Sequence, residues 1–262
     1  MQTTYNILAV GDVCGKPGQE KLCRELPALR KFKNIAFCVV NGENSDMHGI
    51  LPETADMYFA HGVDVITLGN HTWGKKSIIP YMKETRYLLR PANYAPHAPG
   101  IGWTVAQAPF GEVCVINLIG RVGINDMSDN PFFELDRVLE QSEVQRCGVI
   151  LLDFHAEATS EKLAMRYHAD GRLTCVWGTH THVQTSDAEV TALGLGYITD
   201  LGMTGAADSI LGVIPKTSLD HFLGNPRSRY ESAEGDAKLE GCIFEINAET
   251  GRCISAEAIR LL

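Results

Sequence analysis

The sequence predicts an α/β fold, and three observations carry that reading. Short apolar runs rich in β-branched residues recur along the chain without the alternation of a half-exposed strand, as strands covered on both faces do. Helical stretches with an apolar face lie between several of these runs. Each run is followed by a polar loop, the strand–loop–helix order of a sheet whose strands are mostly parallel.

Taken in order, the first run is Ile7–Val10. Gln19–Arg30 follows with Leu22, Leu26 and Leu29 at helical spacing, and Pro27 is expected to kink or split that helix. Ile35–Val40 is the second strand, and Pro52–His61 a helix with Pro in its first turn and an acid after it. Val63–Leu68 and Val113–Leu118 are the next strands. Glu134–Arg146 places Leu135, Val138 and Leu139 on one helical face. Val149–Leu152 is a strand, and Thr159-Ser160-Glu161-Lys162 starts a helix that continues through Leu163, Met165 and Tyr167. Thr174–Trp177 is the last strand of this kind. Lys238–Asn247 and Arg252–Leu261 flank Ala248-Glu249-Thr250-Gly251 and read as a hairpin. No repeat, low-complexity tract or linker divides the chain, so a single domain over residues 1–262 is expected.

Composition narrows the function. With 45% hydrophobic and 21% charged residues the chain is an ordinary globular one. Its apolar runs are too short to span a bilayer, and Met1-Gln2-Thr3-Thr4-Tyr5 lacks the basic start of a signal peptide, so a cytoplasmic protein with no membrane partner is expected. A net charge of −9 argues against an extensive nucleic-acid surface, which needs Lys and Arg to neutralise phosphates. A small anionic substrate remains compatible if a pocket supplies local positive charge, and bound metal would do so. The eight cysteines form no CxxC pair, which excludes a zinc ribbon and a thioredoxin motif. They read as free, mostly buried thiols, with Cys14 set apart in a loop.

The chemistry lies in the loops at the strand ends. Five strands lead into Gly11-Asp12-Val13-Cys14-Gly15, Asn41-Gly42-Glu43-Asn44, Gly69-Asn70-His71-Thr72-Trp73, Asp153-Phe154-His155-Ala156-Glu157 and Gly178-Thr179-His180-Thr181-His182. Ligands of open α/β sheets bind outside the carboxyl ends of the strands. Asp12, Glu43, Asn44, Asn70, His71, His155, His180 and His182 should therefore meet at one edge. Imidazole, carboxylate and amide oxygen without thiolate suit zinc, manganese or iron in a reactive rather than a structural site. Leaving His71 aside, seven such side chains exceed the needs of one tetrahedral ion. Two ions about 3.5–4 Å apart, bridged by a carboxylate, would use them all and clamp a phosphoryl group.

Plainer roles stand beside these. Asp12, Glu43 and Asn44 taken singly are ordinary turn residues. His48, His61, His97, His168 and His221 are expected to be structural or solvated, and Thr159-Ser160-Glu161 to be a helix start. Arg90 and Lys162 either bind phosphate or sit in salt bridges. Ser128 and Ser209 lack a GxSxG elbow, and no phosphate-binding GxxxxGK[ST] loop is present.

Gly69-Asn70-His71 and Gly178-Thr179-His180-Thr181-His182 resemble the GNH and GHxH signatures of calcineurin-like metallophosphoesterases. The chain departs from that pattern where Cys14 replaces the His of Asp-x-His, where Glu43 followed by Asn44 replaces the bridging Asp, and where Thr72 replaces an acid. Those departures are similar to one branch, the YmdB-type bacterial phosphodiesterases. The likeness runs through GDVCGKPG, NGEN, GNHTW, RPAN (residues 90–93), DFHAEATSEK, GTHTHVQT and TDLGMTG (residues 199–205). It implies a four-layer α/β/β/α sandwich and a binuclear centre, with iron ahead of manganese or zinc. One ion would take Asp12, Glu43, Asn44 and His182, the other Glu43, Asn70, His155 and His180, with Glu43 bridging. It further implies hydrolysis of a small phosphodiester, 2′,3′-cyclic nucleotides first, by a metal-bridging hydroxide while His71 assists the leaving group. A phosphomonoesterase, or a regulatory metal-binding protein of the same fold acting through an RNA or protein partner, are the alternatives.

Overall fold

The structure is a computed structural model that describes residues 3–225 and 229–262; Met1 and Gln2, part of the N-terminal segment that bears on targeting, lie outside the described residues. Strands apolar on both faces must be covered twice, and two stacked sheets between two layers of helices do this. The larger sheet runs Asp12–Val13, Met203–Ala206, Ala237–Asn247, Thr4–Val10, Ile35–Asn41, Val65–Thr67, Leu88–Leu89, with Arg252–Leu261 also paired to Ala237–Asn247. The smaller runs Glu189–Val190, Gly196–Ile198, Cys175–Thr179, Val149–His155, Gly111–Ile119, Trp103–Ala108. Thr4–Val10 through Leu88–Leu89 are parallel, as are Gly111–Ile119 through Gly196–Ile198.

The first strand shows why its residues are apolar without alternating. Leu8 and Val10 pack with Leu22, Leu26 and Leu29 of helix Gly15–Phe32 in the outer core. Ile7 and Ala9 point the other way and pack with Val113, Val115 and Trp177 of the second sheet. On that sheet's far face Cys114, Ile116 and Phe154 meet Leu135, Val138 and Met165 of the covering helices. Each fully buried aliphatic contributes about 1.5–3 kcal/mol, and the three cores give the α/β/β/α order of layers.

Several expectations change in detail. Pro27 does not split its helix, which runs unbroken from Gly15 to Phe32. Pro27 lies on the exposed face, where water can take the carbonyl its ring leaves unbonded, while the opposite face is held by the buried leucines. The stretch 134–146 is two helices, Pro131–Leu139 and Ser142–Gln145, separated by the extended Gln141. Val138 and Val144 both enter the same core. Six residues apart they would stand roughly 120° apart around one continuous helix, so the chain breaks to bring both inward. The first helix starts early because Asn130 caps it, accepting from the Phe132 N–H.

The C-terminal hairpin is present, Ala237–Asn247 against Arg252–Leu261, with Asn247 Oδ1 accepting from the N–H groups of Glu249 and Thr250 in the turn. Trp103–Ala108 and Met203–Ala206 are strands that the apolar runs do not announce. The second pairs in parallel with Asp12–Val13, so Asp12 stands in a short strand rather than in a loop. Among the described residues no helix is long and apolar enough to cross a membrane.

Candidate metal centre

The strand ends converge where the two sheets adjoin. Asp12, Glu43, Asn44, Asn70 and His71 come from the larger sheet; His155 ends a strand of the smaller one, and His180 and His182 follow the next. Asp12, Glu43 and His155 are essentially inaccessible. Two buried carboxylates need positive charge or hydrogen-bond donors close by.

The three histidines share one arrangement. Thr179 Oγ1 donates to Asp153 Oδ1 at 2.7 Å, so it accepts from His155 Nδ1 at 2.9 Å, which leaves His155 Nε2 as the inward nitrogen. His180 Nε2 is tied to Glu157 Oε2 at 3.1 Å, leaving Nδ1 inward. His182 Nδ1 donates to the Leu211 carbonyl at 3.3 Å, leaving Nε2 inward. Each ring thus has one nitrogen tied outside and the other turned toward the carboxylates, the way outer partners orient metal-binding histidines.

The inward atoms crowd together. His155 Nε2 lies 3.0 Å from His180 Nδ1, 3.0 Å from Asn70 Oδ1 and 3.1 Å from Glu43 Oε1. One proton cannot satisfy so many acceptors, whereas a cation can. Glu43, His155 and His180 offer ligand atoms within 4.8 Å of one another. Asp12 Oδ2 accepts from the His180 backbone N–H at 3.1 Å, but its Oδ1 is buried with no partner, 3.8 Å from His182 Nε2. An orphaned buried carboxylate oxygen among inward lone pairs fits a metal ion.

Electrostatics say the same. Burial works to raise Glu43, yet His155 and His71 overcome it and hold the carboxyl at about 2. Burial works to lower His155, yet Glu43, Asp12 and Asp153 carry it up to about 9. His180 is pushed down to about 3 by burial and by the charge of His155. Burial raises Asp12 against the pull of His182 and His155.

Local backbone is shaped for this. His180 and His182 have φ of 100° and 62°, a region non-glycine residues rarely enter. Asp200 holds the loop between them, accepting from Thr181 N–H and Oγ1, and is itself paired with buried Lys162 at 2.7 Å. Gly69 has no side chain because a Cβ there would lie 2.3 Å from the His155 ring and 2.4 Å from Glu43 Oε2.

His71 sits beside Glu43, its Nδ1 3.6 Å from Glu43 Oε1. Its backbone N–H donates to Glu43 Oε2 and its Nδ1 donates to Asn44 Oδ1 at 3.0 Å. Nε2 has no partner among the described residues. Burial lowers its pKa against the pull of Glu43, and the neighbouring histidines add to the lowering. Asn44 turns its oxygen to His71 and its nitrogen to His182 at 3.2 Å; a half-turn of the amide exchanges them. A cavity of about 380 Å³ opens over this cluster, lined by Cys14, Glu43, Asn44, His71, His180 and His182 among others.

Other expectations resolve here. Lys162 is a salt-bridge residue, and Arg90 is buried, donating to the carbonyls of Pro91 and Ala92. His48, expected to be structural or solvated, lines the cavity with its ring edge-on to His71 at 4.6 Å. Cys14 also lines it, its Sγ 3.7 Å from His182 Nδ1. Glu157, Asp153 and Thr179 carry no role in the sequence pattern, yet they hold the outer faces of the histidines. All three lie within the strand-end segments that hold the histidines, and that adjacency is the one signal the sequence offers.

Inward-facing histidines, amides and buried carboxylates at the carboxyl edge of an α/β/β/α sandwich define a metallophosphoesterase-type hydrolase. The chain belongs to the YmdB-like protein family, which it matches over residues 8–259. It is 40% identical over 254 residues to the 2′,3′-cyclic-nucleotide 2′-phosphodiesterase of Bacillus subtilis (strain 168), covering 97% of this chain and 96% of that one. Its structure is similar to that of a novel phosphatase from Mycoplasma pneumoniae, with a TM-score of 0.91 at 34% identity over 100% of this chain and 94% of the other. A hypothetical protein from Thermus thermophilus matches with a TM-score of 0.90 at 33% identity, over 98% of both chains.

Proposed function

We propose that the protein hydrolyses 2′,3′-cyclic nucleotides, opening the cyclic phosphodiester to a nucleoside monophosphate. The carrying observation is the set of three inward imidazole nitrogens facing two buried carboxylates, one of whose oxygens has no partner. The name of the Bacillus relative supplies the substrate class. Two ions would be held by Asp12, Glu43, Asn44 and His182, and by Glu43, Asn70, His155 and His180, with iron, manganese or zinc suited to such donors. When bound, such ions neutralise a phosphate and make water nucleophilic near neutral pH.

The chain's own groups do the rest. Asp153, Thr179 and Glu157 hold the outer protons of His155 and His180, so the inner nitrogens stay aimed. As the phosphorus–oxygen bond of the ring breaks, the departing ribose oxygen needs a proton. In its imidazolium form His71 is placed to deliver it from Nε2, with Asn44 Oδ1 accepting from Nδ1. The cavity over the cluster is of a size for a small group such as a cyclic phosphate and its ribose. We read the chain as one metallophosphoesterase domain over residues 1–262, and its setting as cytoplasmic, a reading that the eight free cysteines support.

The test is metal content by ICP-MS on protein purified without a chelating column, paired with turnover of 2′,3′-cyclic AMP and of p-nitrophenyl phosphate. About two metal equivalents and preference for the cyclic diester are expected. Preference for the monoester would overturn the substrate assignment, and a protein that holds no metal after reconstitution would overturn the centre itself.

A further inference from the structure

Asn70 touches a second cavity. Its Oδ1 lies 3.0 Å from His155 Nε2, and the residue also lines a separate space of about 310 Å³ with Trp73, Tyr94, Ala95, Ala98, Asp126 and Met127. None of the histidines lines this space. Trp73 and Tyr94 form one aromatic wall, ring centroids 5.0 Å apart and planes tilted by 36°. Trp73 packs against the outer core, which keeps that wall rigid.

One polar group at the rim is left open to a ligand. Tyr94 Oη donates to Asp126 Oδ2 at 2.5 Å, which fixes the carboxylate at the rim and leaves Oδ1 free to accept. Met127 beside it is 97% exposed, an apolar side chain held in water at the mouth of an aromatic pocket. Gly123 of the same loop stands against Glu157, which holds His180: a Cβ there would come within 2.8 Å of Glu157 Cγ.

We propose that this pocket seats the nucleobase of the substrate, with the phosphate on the His155 side of Asn70. The proposal rests on the nucleotide reading of the metal centre and deepens it. A planar heteroaromatic stacks on Trp73 and Tyr94. A base with an amino group also supplies a donor for Asp126 Oδ1; adenine, guanine and cytosine qualify.

The experiment compares 2′,3′-cyclic AMP with 1-O-methylribose 2′,3′-cyclic phosphate, the same reacting group without a base. In the wild-type holoenzyme kcat/KM is expected to favour the nucleotide about 10- to 100-fold, the range that base stacking contributes. Trp73→Ala should collapse that ratio toward one, chiefly by raising KM for the nucleotide, and Asp126→Ala, at an exposed position, should lower it in part. Equal kcat/KM in the wild type, or a ratio that survives both substitutions, overturns the proposal. Binding gives a readout independent of turnover and of Trp73→Ala folding. Adenosine 3′-monophosphate should quench the tryptophan fluorescence of the wild type saturably. Trp73→Phe, with the other two of the three tryptophans intact, should lose that quench. If neither substrate turns over, the phosphodiesterase reading fails, and a missing or Trp73-independent quench would then remove the base pocket as well.

Discussion

Alanine at Gly69 would put a methyl group 2.3 Å from Cδ2 and Nε2 of His155 and 2.4 Å from Oε2 of Glu43. Carbon contacts are comfortable only beyond about 3.5 Å, so the ring and the carboxylate, or the loop that carries the methyl, must give way by about 1 Å. The backbone at Gly69 lies outside the left-handed region, so alanine brings no φ strain and the effect is steric alone. Displacing reacting geometry by 1 Å costs about 100-fold, or about 2.7 kcal/mol in the barrier. Here two proposed ligands move together, so the loss should be at least that large and should include metal. The assay is kcat/KM on 2′,3′-cyclic AMP with metal content on the same sample, beside Gly148→Ala as control. A Cβ on Gly148 meets only the Ala248 carbonyl, at 3.9 Å, and should change activity less than twofold. Full metal content and activity within threefold of wild type in Gly69→Ala would refute the reasoning.

Four further outcomes are expected. His71→Ala should keep its metal and lose about 10²- to 10⁴-fold in kcat, and loss of metal would move His71 into the ligand set. Glu157→Gln should weaken metal affinity by about 10- to 100-fold, measured by competition with a chromophoric chelator, because it loosens the outer hold on His180. Lys162→Met leaves Asp200 buried without its cation, a loss of about 3–5 kcal/mol; at about 2–4 °C per kcal/mol that lowers Tm by about 6–20 °C, and calorimetry showing no change would contradict it. In metal-free protein His155 is raised from 6.5 to about 9, so its stabilising contribution is complete below pH 6.5 and lost as pH rises through 9. Tm of the apoprotein should fall over that window while metal affinity rises, because an ion must displace the Nε2 proton; affinity flat with pH would argue against His155 as a ligand.

The sequence disclosed the site better than the architecture around it. Strand-end loops are local, and Asp12, Glu43, Asn70, His155 and His180 each follow a run whose apolar character is plain, so their convergence could be inferred from sheet geometry. Trp103–Ala108 escaped because it is half-buried, with polar Thr104 and Gln107 interrupting its pattern. Met203–Ala206 escaped because its four short residues become a strand only by pairing with Asp12–Val13 and Ala237–Asn247. The outer partners of the histidines were equally out of reach. Nothing in the spacing of Asp153 and Thr179 states that one hydroxyl will relay a proton preference to His155. The role of Lys162 was undecided between phosphate and salt bridge until its burial beside Asp200 was seen.

Ala237–Asn247 lies between Met203–Ala206 and Thr4–Val10 in the larger sheet, so a strand neighbours one made much earlier. On the ribosome the first strand must wait with one edge unpaired while more than two hundred residues are made. Asp12 waits with it, since the strand beside it, Met203–Ala206, is also late. The order of synthesis thus acts as a timer: acids made early gain their setting only after His155, His180 and His182 have emerged. A nascent chain stalled before residue 203 carries every proposed ligand but lacks the strand that pairs with Asp12–Val13, so it should hold metal less tightly than the finished chain.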